Sequence, residues 1–398
     1  DEEKDAVIRV LDSGYLSKFE GSHTPDAPFS FYGGPEVQGL EREWSEYYGC
    51  KHSISVNSAT SGLYAAIGAI GVGYGDEVIV SPYTMTACAM APLLFGAIPV
   101  FSDVEKETGC MDVKSIERAL SNRTKAILVV HQFGIPADMD KIMELAKQHD
   151  LKVIEDCAQA HGAKYNNKYV GTFGAIGVFS LNVNKSIQTG EGGICITDDE
   201  ELAYRLALIR NHGEAVVGPA KYKNVVNIFG FNFRLTELQA AIAREQLKKV
   251  NKLNDHRLDL VEAFSRGLDN HPFLHPLSGR PGCYSTYYVY PLRYESGIAR
   301  VEREEFVAAL NAEGAQFYQG YVEPLYLQPL YQQQSLFKHS YPFSAPENRG
   351  HTARYEKGTC SVAELLHQKT MIINEHIRFP HKKRDIEQLI QIVIKVTG

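Results

Sequence analysis

Between residues 50 and 250 the chain alternates short apolar, β-rich runs with stretches of helical periodicity, and few folds can accept that pattern. The runs are EVIVSP (77–82), IPVFSD (98–103), KAILVVHQ (125–132), KVIEDC (152–157), IGVFSL (176–181) and GICITD (193–198). Helical patterns such as SGLYAAIGAI, MDKIMELAKQHD and EELAYRLALIRN lie between several of them. Strand, helix, strand in repetition specifies an α/β layer architecture. Apolar runs without strict alternation belong to strands covered on both faces, so the sheet is expected to be mostly parallel.

Two long helical patterns follow, RLTELQAAIAREQLKKVNKL and DHRLDLVEAFSRGL, the first entered at Thr236. The turn-rich HPFLHPLSGRPG (271–282) then gives way to the aromatic strand YSTYYVYPLRY and the helix EREEFVAALNAEG. This punctuation places a domain change near 255–280. The expected division is a large α/β domain over 1–255 and a smaller α+β domain over 256–398. The polar stretch 332–358 reads as a long loop of the kind that covers a site or meets a partner.

A formal net charge of -7 gives no basic face for a polyanion, so no nucleic-acid partner is expected. No stretch reaches the ~18 apolar residues that span a bilayer, and the seven scattered cysteines form no C-x-x-C pair. These features predict a cytoplasmic protein with reduced thiols, no membrane partner and no metal site.

Three elements carry chemistry. The run KVIEDCAQAHG delivers Asp156 at the carboxyl end of a strand, where open α/β sheets gather ligands. A carboxylate there serves either as a helix cap or as the partner of a protonated ring nitrogen. In NVNKSIQTGEGG (182–193), Lys185 follows the next strand and precedes three glycines in five residues, a composition that suits a tight turn or a close backbone approach. A lysine so placed is suited to covalent catalysis and proton transfer, although exposed loop lysines are the commoner case. In NSATSGLYAA (57–66), small and hydroxyl residues run into a helix whose free N–H groups make a phosphate seat or a plain cap. Ser180, five residues before Lys185, offers another hydroxyl.

The ordered set of DSGYL, GDEVI, GAIPVF, RTKAI, PADMD, EDCAQAHGA, the Lys185 motif, GFNFRLTELQAAI and CSVAE resembles the DegT/DnrJ/EryC1/StrS sugar aminotransferases, pyridoxal phosphate enzymes of fold type I. The resemblance covers nearly the whole chain. It implies a large domain with a mostly parallel seven-stranded sheet and a smaller α+β domain. It further implies that Lys185 forms the Schiff base with pyridoxal 5'-phosphate and that Asp156 pairs with the ring nitrogen. Gln159 would lie on the ring's hydroxyl side, and Ala59, Thr60 and Ser180 would hold the phosphate. Met85 occupies the place of the aromatic residue that usually stacks on the ring. Asn232 of GFNFR would reach the neighbouring subunit's phosphate, which makes the working unit a homodimer with shared active sites. His161, Asn182, Arg234 and Phe317, the last opening the aromatic segment FYQGYVEPLYLQPLY, are the candidates for substrate contact.

The reaction the resemblance implies is transfer of an amino group from L-glutamate or L-glutamine to a keto sugar, with pyridoxamine phosphate carrying the nitrogen between two half-reactions. A nucleotide-linked keto-deoxy sugar, used in polysaccharide or natural-product biosynthesis, is the expected acceptor. The alternatives are a free or carbocyclic keto sugar of the scyllo-inosose type, or a sugar dehydratase. Members of the last group carry histidine where this chain has Lys185.

Overall fold

The computed structural model describes residues 1–22 and 26–398. The expected apolar runs are strands. In chain order they are β1 (His52–Val56), β2 (Glu77–Val80), β3 (Ile98–Phe101), β4 (Thr124–Val130) and β5 (Lys152–Asp156). The two-residue β6 (Lys164–Tyr165) and β7 (Lys168–Tyr169) follow, then β8 (Ile176–Ser180) and β9 (Gly193–Thr197). Seven of these form one sheet in the order β1-β9-β8-β5-β4-β2-β3. All pairings among β8, β5, β4, β2 and β3 are parallel, and β9 alone runs against its neighbours β8 and β1. The inner strands are buried along almost their whole length, as strands covered by helices on both faces must be.

A second sheet is antiparallel, with β10 (Leu274–Pro276), β12 (Tyr290–Tyr294), β14 (Met371–Asn374) and β13 (Phe317–Gln319) side by side. The two-residue β11 (Cys283–Tyr284) joins β6 and β7 in a small ribbon. The helices Val250–Gly267, Arg303–Ala312 and Lys383–Thr397 pack on the second sheet around Phe264, Tyr294, Phe306 and Phe317. Helix Glu237–Leu247 starts at Thr236, whose hydroxyl accepts the Gln239 N–H while the Gln239 side chain returns to the Thr236 N–H. That reciprocal cap satisfies two donors a helix start otherwise leaves open.

The stretch 332–358 is irregular but fastened. Thr352 N donates to Glu77 Oε1 at 2.7 Å, and the Arg123 guanidinium donates to the carbonyls of Glu347 (2.9 Å) and Arg349 (2.7 Å). The Tyr355 hydroxyl donates to the Pro99 carbonyl on edge strand β3 at 3.0 Å. Tyr331, Phe343 and Tyr355 are buried in the same core as the seven-stranded sheet. At the other edge, Ser55 N of β1 donates to Glu41 Oε1 (2.8 Å), and Arg210 Nη1 donates to the Ser55 carbonyl (3.1 Å). No helix among the described residues is long and apolar enough to cross a membrane.

Candidate active site

Strand register brings the chemical residues together. Gly193 at the start of β9 faces both Ser180 at the end of β8 and Val56 at the end of β1. Asp156 ends β5 opposite Val178, two residues before Ser180. The carboxyl ends of β1, β8 and β5 therefore converge on one rim, as parallel connectivity requires.

Beyond β1 the chain enters helix Ala59–Ala69 through Ser58, whose hydroxyl accepts the Ser61 N–H at 3.0 Å. Ser61 Oγ in turn donates to Asn57 Oδ1 at 2.6 Å. One of the helix's first N–H groups is thus capped, and those of Ala59 and Thr60 remain at its positive end. Thr60 is exposed and Ala59 half-buried. Gly193 lies against this start: a Cβ on it would fall 2.7 Å from Ala59 N and from the Ser58 carbonyl carbon. The absence of a side chain lets β9 approach the helix end, which explains the last glycine of TGEGG.

The same motif shapes the lysine loop. Gly190 has φ +81°, a conformation glycine reaches without steric cost. Val183 N donates to the Gly190 carbonyl (2.9 Å), Leu181 N to that of Gly192 (2.8 Å) and Thr189 N to that of Leu181 (2.9 Å). Asn182 uses its side chain to hold Glu191 Oε1 at 2.8 Å, and its carbonyl accepts the Lys185 N–H at 3.0 Å. The Lys185 side chain leaves this frame with Nζ 4.2 Å above the centre of the Tyr288 ring. Burial pushes its pKa down to about 8, against the opposing fields of the Asp156 and Glu375 carboxylates. At pH 7 about one amine in ten is therefore uncharged and nucleophilic, far more than for an ordinary lysine.

Asp156 is buried. Its Oδ1 accepts the Ala158 N–H at 3.0 Å and its Oδ2 accepts the Cys88 thiol at 3.1 Å. Cys88 belongs to helix Ala87–Leu94, which follows β2 through the turn carrying Met85. Met85 is exposed on that turn and its carbonyl accepts the Cys88 N–H. Gln159 is buried between two partners: its Oε1 accepts the Phe133 N–H (2.7 Å) and its Nε2 donates to the Tyr321 hydroxyl (3.0 Å). Phe133 has φ +59°, uncommon for a bulky residue, and its carbonyl accepts the Tyr288 N–H at 2.9 Å. The chain from Gln159 through Phe133 thus fixes the tyrosine beneath Lys185.

Two of the expected substrate contacts lie in the core, and two further expected contacts stand on an accessible segment. His161 is fully buried, its ring edge-on to Trp44 at 6.2 Å and tilted against Phe179 at 5.7 Å. It is packed as a core residue in this structure, with both ring nitrogens buried. Phe317 lies in β13 within the core of the small sheet, 1% exposed, so it cannot meet substrate. From the same segment it is Tyr321 that reaches the site, through Gln159. Asn232 is exposed and Arg234 half-buried on a segment beside Asn57, where Arg234 Nε donates to Asn232 Oδ1 at 2.8 Å.

The structure adds Cys88, Tyr288, Arg257, Tyr321 and Arg378 to the surroundings of the rim. Arg257 Nη1 donates to Ser186 Oγ at 2.8 Å and Arg378 Nη1 to the Asn184 carbonyl at 3.2 Å. These residues come from distant parts of the chain with no local motif to mark them.

The model of the DegT/DnrJ/EryC1/StrS aminotransferase family matches residues 28–347. The chain is 35% identical over 328 residues to the dTDP-3-amino-3,4,6-trideoxy-alpha-D-glucose transaminase of Streptomyces venezuelae, covering 82% of this chain and 79% of that one. It is 37% identical over 309 residues to the L-glutamine:2-deoxy-scyllo-inosose aminotransferase of Micromonospora echinospora, covering 74% and 73%. Among solved structures, the aminotransferase from Psychrobacter cryohalolentis superposes with a TM-score of 0.83 at 30% identity, covering 99% of this chain and 96% of that one.

Proposed function

The chain belongs to the DegT/DnrJ/EryC1/StrS aminotransferase family and is a pyridoxal-phosphate-dependent sugar aminotransferase; from that premise we propose how its residues divide the work and which acceptor it serves. The residues present fit the cofactor. A helix start whose Ala59 and Thr60 N–H groups remain open lies against Gly193, a buried carboxylate with a thiol donor stands at the end of β5, and a partly neutral lysine closes the rim. When bound, pyridoxal phosphate supplies an aldehyde that takes up the amine and a ring that withdraws electrons from the adjacent carbon.

Ala59 and Thr60 with Ser180 hold the phosphate by N–H and hydroxyl donation at the positive helix end. Asp156, oriented by the Ala158 N–H and the Cys88 thiol, would pair with the ring nitrogen. Gln159, locked between Phe133 and Tyr321, limits the ring's in-plane freedom. Met85 offers a polarisable thioether to the ring face. Lys185 would hold the aldehyde through its Nζ amine and would serve, at the same atom, as the proton carrier beside the donor's α carbon. The placement of Lys185 Nζ over the Tyr288 ring, on a loop framed by Asn182 and Gly190 beyond β8, is the single observation that carries this assignment, and the lowered pKa of its amine agrees with it. Asn182 acts by holding the lysine loop through Glu191.

The amino donor is L-glutamate or L-glutamine, and the acceptor is a nucleotide-linked keto-deoxy sugar, as the name of the Streptomyces venezuelae relative suggests. The 37% identity to an aminotransferase of 2-deoxy-scyllo-inosose supports a carbocyclic acceptor as the second reading. The working unit is a homodimer in the cytoplasm. Exposed Val225, Val226 and Phe229, continuing to Asn232, supply an apolar face for a second copy, and the seven unpaired cysteines suit a reducing compartment. We assign residues 1–255 to the cofactor-binding part and 256–398 to the smaller part, with Tyr331, Phe343 and Tyr355 of the latter packing into the core of the seven-stranded sheet.

The test is the donor half-reaction alone. L-glutamine and then L-glutamate are added to the cofactor-loaded protein without sugar, and keto acid release is measured beside the visible spectrum. Stoichiometric keto acid is expected. No keto acid from either donor would sink the transaminase reading in favour of a dehydratase.

A further inference from the structure

The aromatic stretch YSTYYVYPLRY places one ring against the lysine. Lys185 Nζ stands 4.2 Å from the centre of the Tyr288 ring, the shortest of the cation–ring contacts among the described residues. The described residues give that amine no hydrogen bond and no carboxylate within 4.0 Å. Asp156 and Glu375 act on it only through their fields. Arg257 and Arg378 bring further charge to Tyr288, and His161, which feels the charge of Lys185, is held neutral by its burial. The ring itself is fixed. Tyr288 is 6% exposed, and its backbone is tied down where Thr286 N donates to the Gly134 carbonyl and Tyr288 N to that of Phe133, each at 2.9 Å. Burial pushes its phenol up to about 12. Near pH 7 the ring is therefore a neutral, electron-rich face that exchanges no proton with the lysine.

We infer that Tyr288 is a positioning residue whose ring face holds the Lys185 ammonium whenever that lysine is free of the cofactor. The inference rests on the aminotransferase reading above, in which one nitrogen both binds and carries a proton. An ammonium on a half-enclosed rim needs a compensating negative potential, and the kind of group that supplies it decides what the ammonium can do next. A carboxylate at hydrogen-bond distance would grip it in a charge-assisted bond and raise its affinity for the proton. The proton would then be hard to give up. A ring face attracts the same charge through its quadrupole, more weakly and without fixing a hydrogen-bond direction. Nζ is then kept in place while its N–H bonds remain free to turn toward the rim. The geometry matches the second case, since both carboxylates stand off and the ring is the group in contact.

The experiment is competitive acylation of Lys185 by acetic anhydride as a function of pH, read by mass spectrometry of the peptide that carries it. It is run on the full-length chain without cofactor and loaded with pyridoxamine phosphate, the two forms in which the amine is free. Tyr288→Phe is compared with the 4-fluoro, 3,5-difluoro and 3,4,5-trifluoro analogues of phenylalanine at the same position, which keep nearly one shape while fluorine drains the ring face of charge. Tyr288→Phe should leave the midpoint of labelling within about 0.2 pH units of wild type. The midpoint should then fall with each added fluorine, reaching about 0.5–1 pH unit lower in the trifluoro form, because a weaker attraction releases the proton sooner. Tyr288→Leu should fall as far. A midpoint indifferent to fluorination overturns the inference even where Tyr288→Leu shifts it, since that pattern marks packing alone. Labelling requires no amino transfer, so absence of keto acid from wild type is a separate result and removes the reading beneath.

Discussion

His161 offers a direct measurement of what its burial costs. Its ring is enclosed by Trp44 and Phe179, and burial, reinforced by the nearby charge of Lys185, pushes its pKa down from 6.5 to about 3. The unfolded chain therefore binds a proton between pH 6.5 and 3 that the folded protein does not, so stability must fall as the solution is acidified through that window. For a shift of this size the loss between pH 7 and pH 5 comes to about 2 kcal/mol. Replacing His161 with Phe or with Gln removes the titration. Each substitution also disturbs packing, but that cost is the same at both pH values and cancels when the wild-type and variant differences are compared. The assay is urea unfolding at pH 7 and pH 5 followed by tryptophan fluorescence, with Trp44, the single tryptophan, in contact with the ring. Both variants should lose about 2 kcal/mol less than wild type on going to pH 5. If the three proteins respond to acid within about 0.5 kcal/mol of one another, the buried-neutral assignment of His161 is wrong.

Lys185→Ala should keep its far-ultraviolet circular dichroism and release no keto acid from either donor, a loss of at least about 10³-fold in turnover. In cofactor-free wild type, capture of pyridoxal phosphate should accelerate with rising pH up to about 8 as the Lys185 amine loses its proton, then level off in stopped-flow absorbance. Cys88→Ala removes the thiol donor to Asp156 and should cost roughly 1–3 kcal/mol of stability in urea, with Cys88→Ser restoring most of it. Gly193→Ala forces a methyl against Ala59 N. A destabilisation of about 1–3 kcal/mol is expected with weaker cofactor binding, measured by melting temperature and by spectral titration.

Six of the seven strands of the main sheet were legible because each is a continuous apolar run. The seventh, β1, is HSISV, whose alternating serines resemble the polar lead-in to the next helix. Its hydroxyl-bearing edge position explains why it lacks an apolar signature: Ser55 faces Glu41 and Arg210 rather than hydrocarbon. The reversal of β9 was not legible either, since one five-residue apolar run looks alike in either direction. In the site, Lys185, Asp156, Gln159 and the Ser58–Thr60 turn could be found because each sits within a local motif tied to a strand end. Cys88, Tyr288, Tyr321, Arg257 and Arg378 act through tertiary proximity alone. His161 shows the converse, a polar residue inside a functional motif that is fully buried among aromatic rings. The stretch 332–358 reads from sequence as a long loop that covers a site or meets a partner, and its attachment to the sheet edge leaves no periodic trace because the anchors are single side chains and carbonyls.

Those anchors have a bearing on how the molecule avoids the wrong company. An open sheet ends in two rows of unpaired peptide groups, each a template onto which another chain could add a strand. Here the terminal strands are occupied from within, β3 by the tyrosine-bearing strap of residues 343–355 and β1 by a glutamate and an arginine that stand in for a neighbouring backbone. Any protein that docks at these edges must therefore be recognised through side-chain surfaces, where a mismatch in shape or charge can reject a stranger, and not through peptide hydrogen bonding, which accepts almost any sequence.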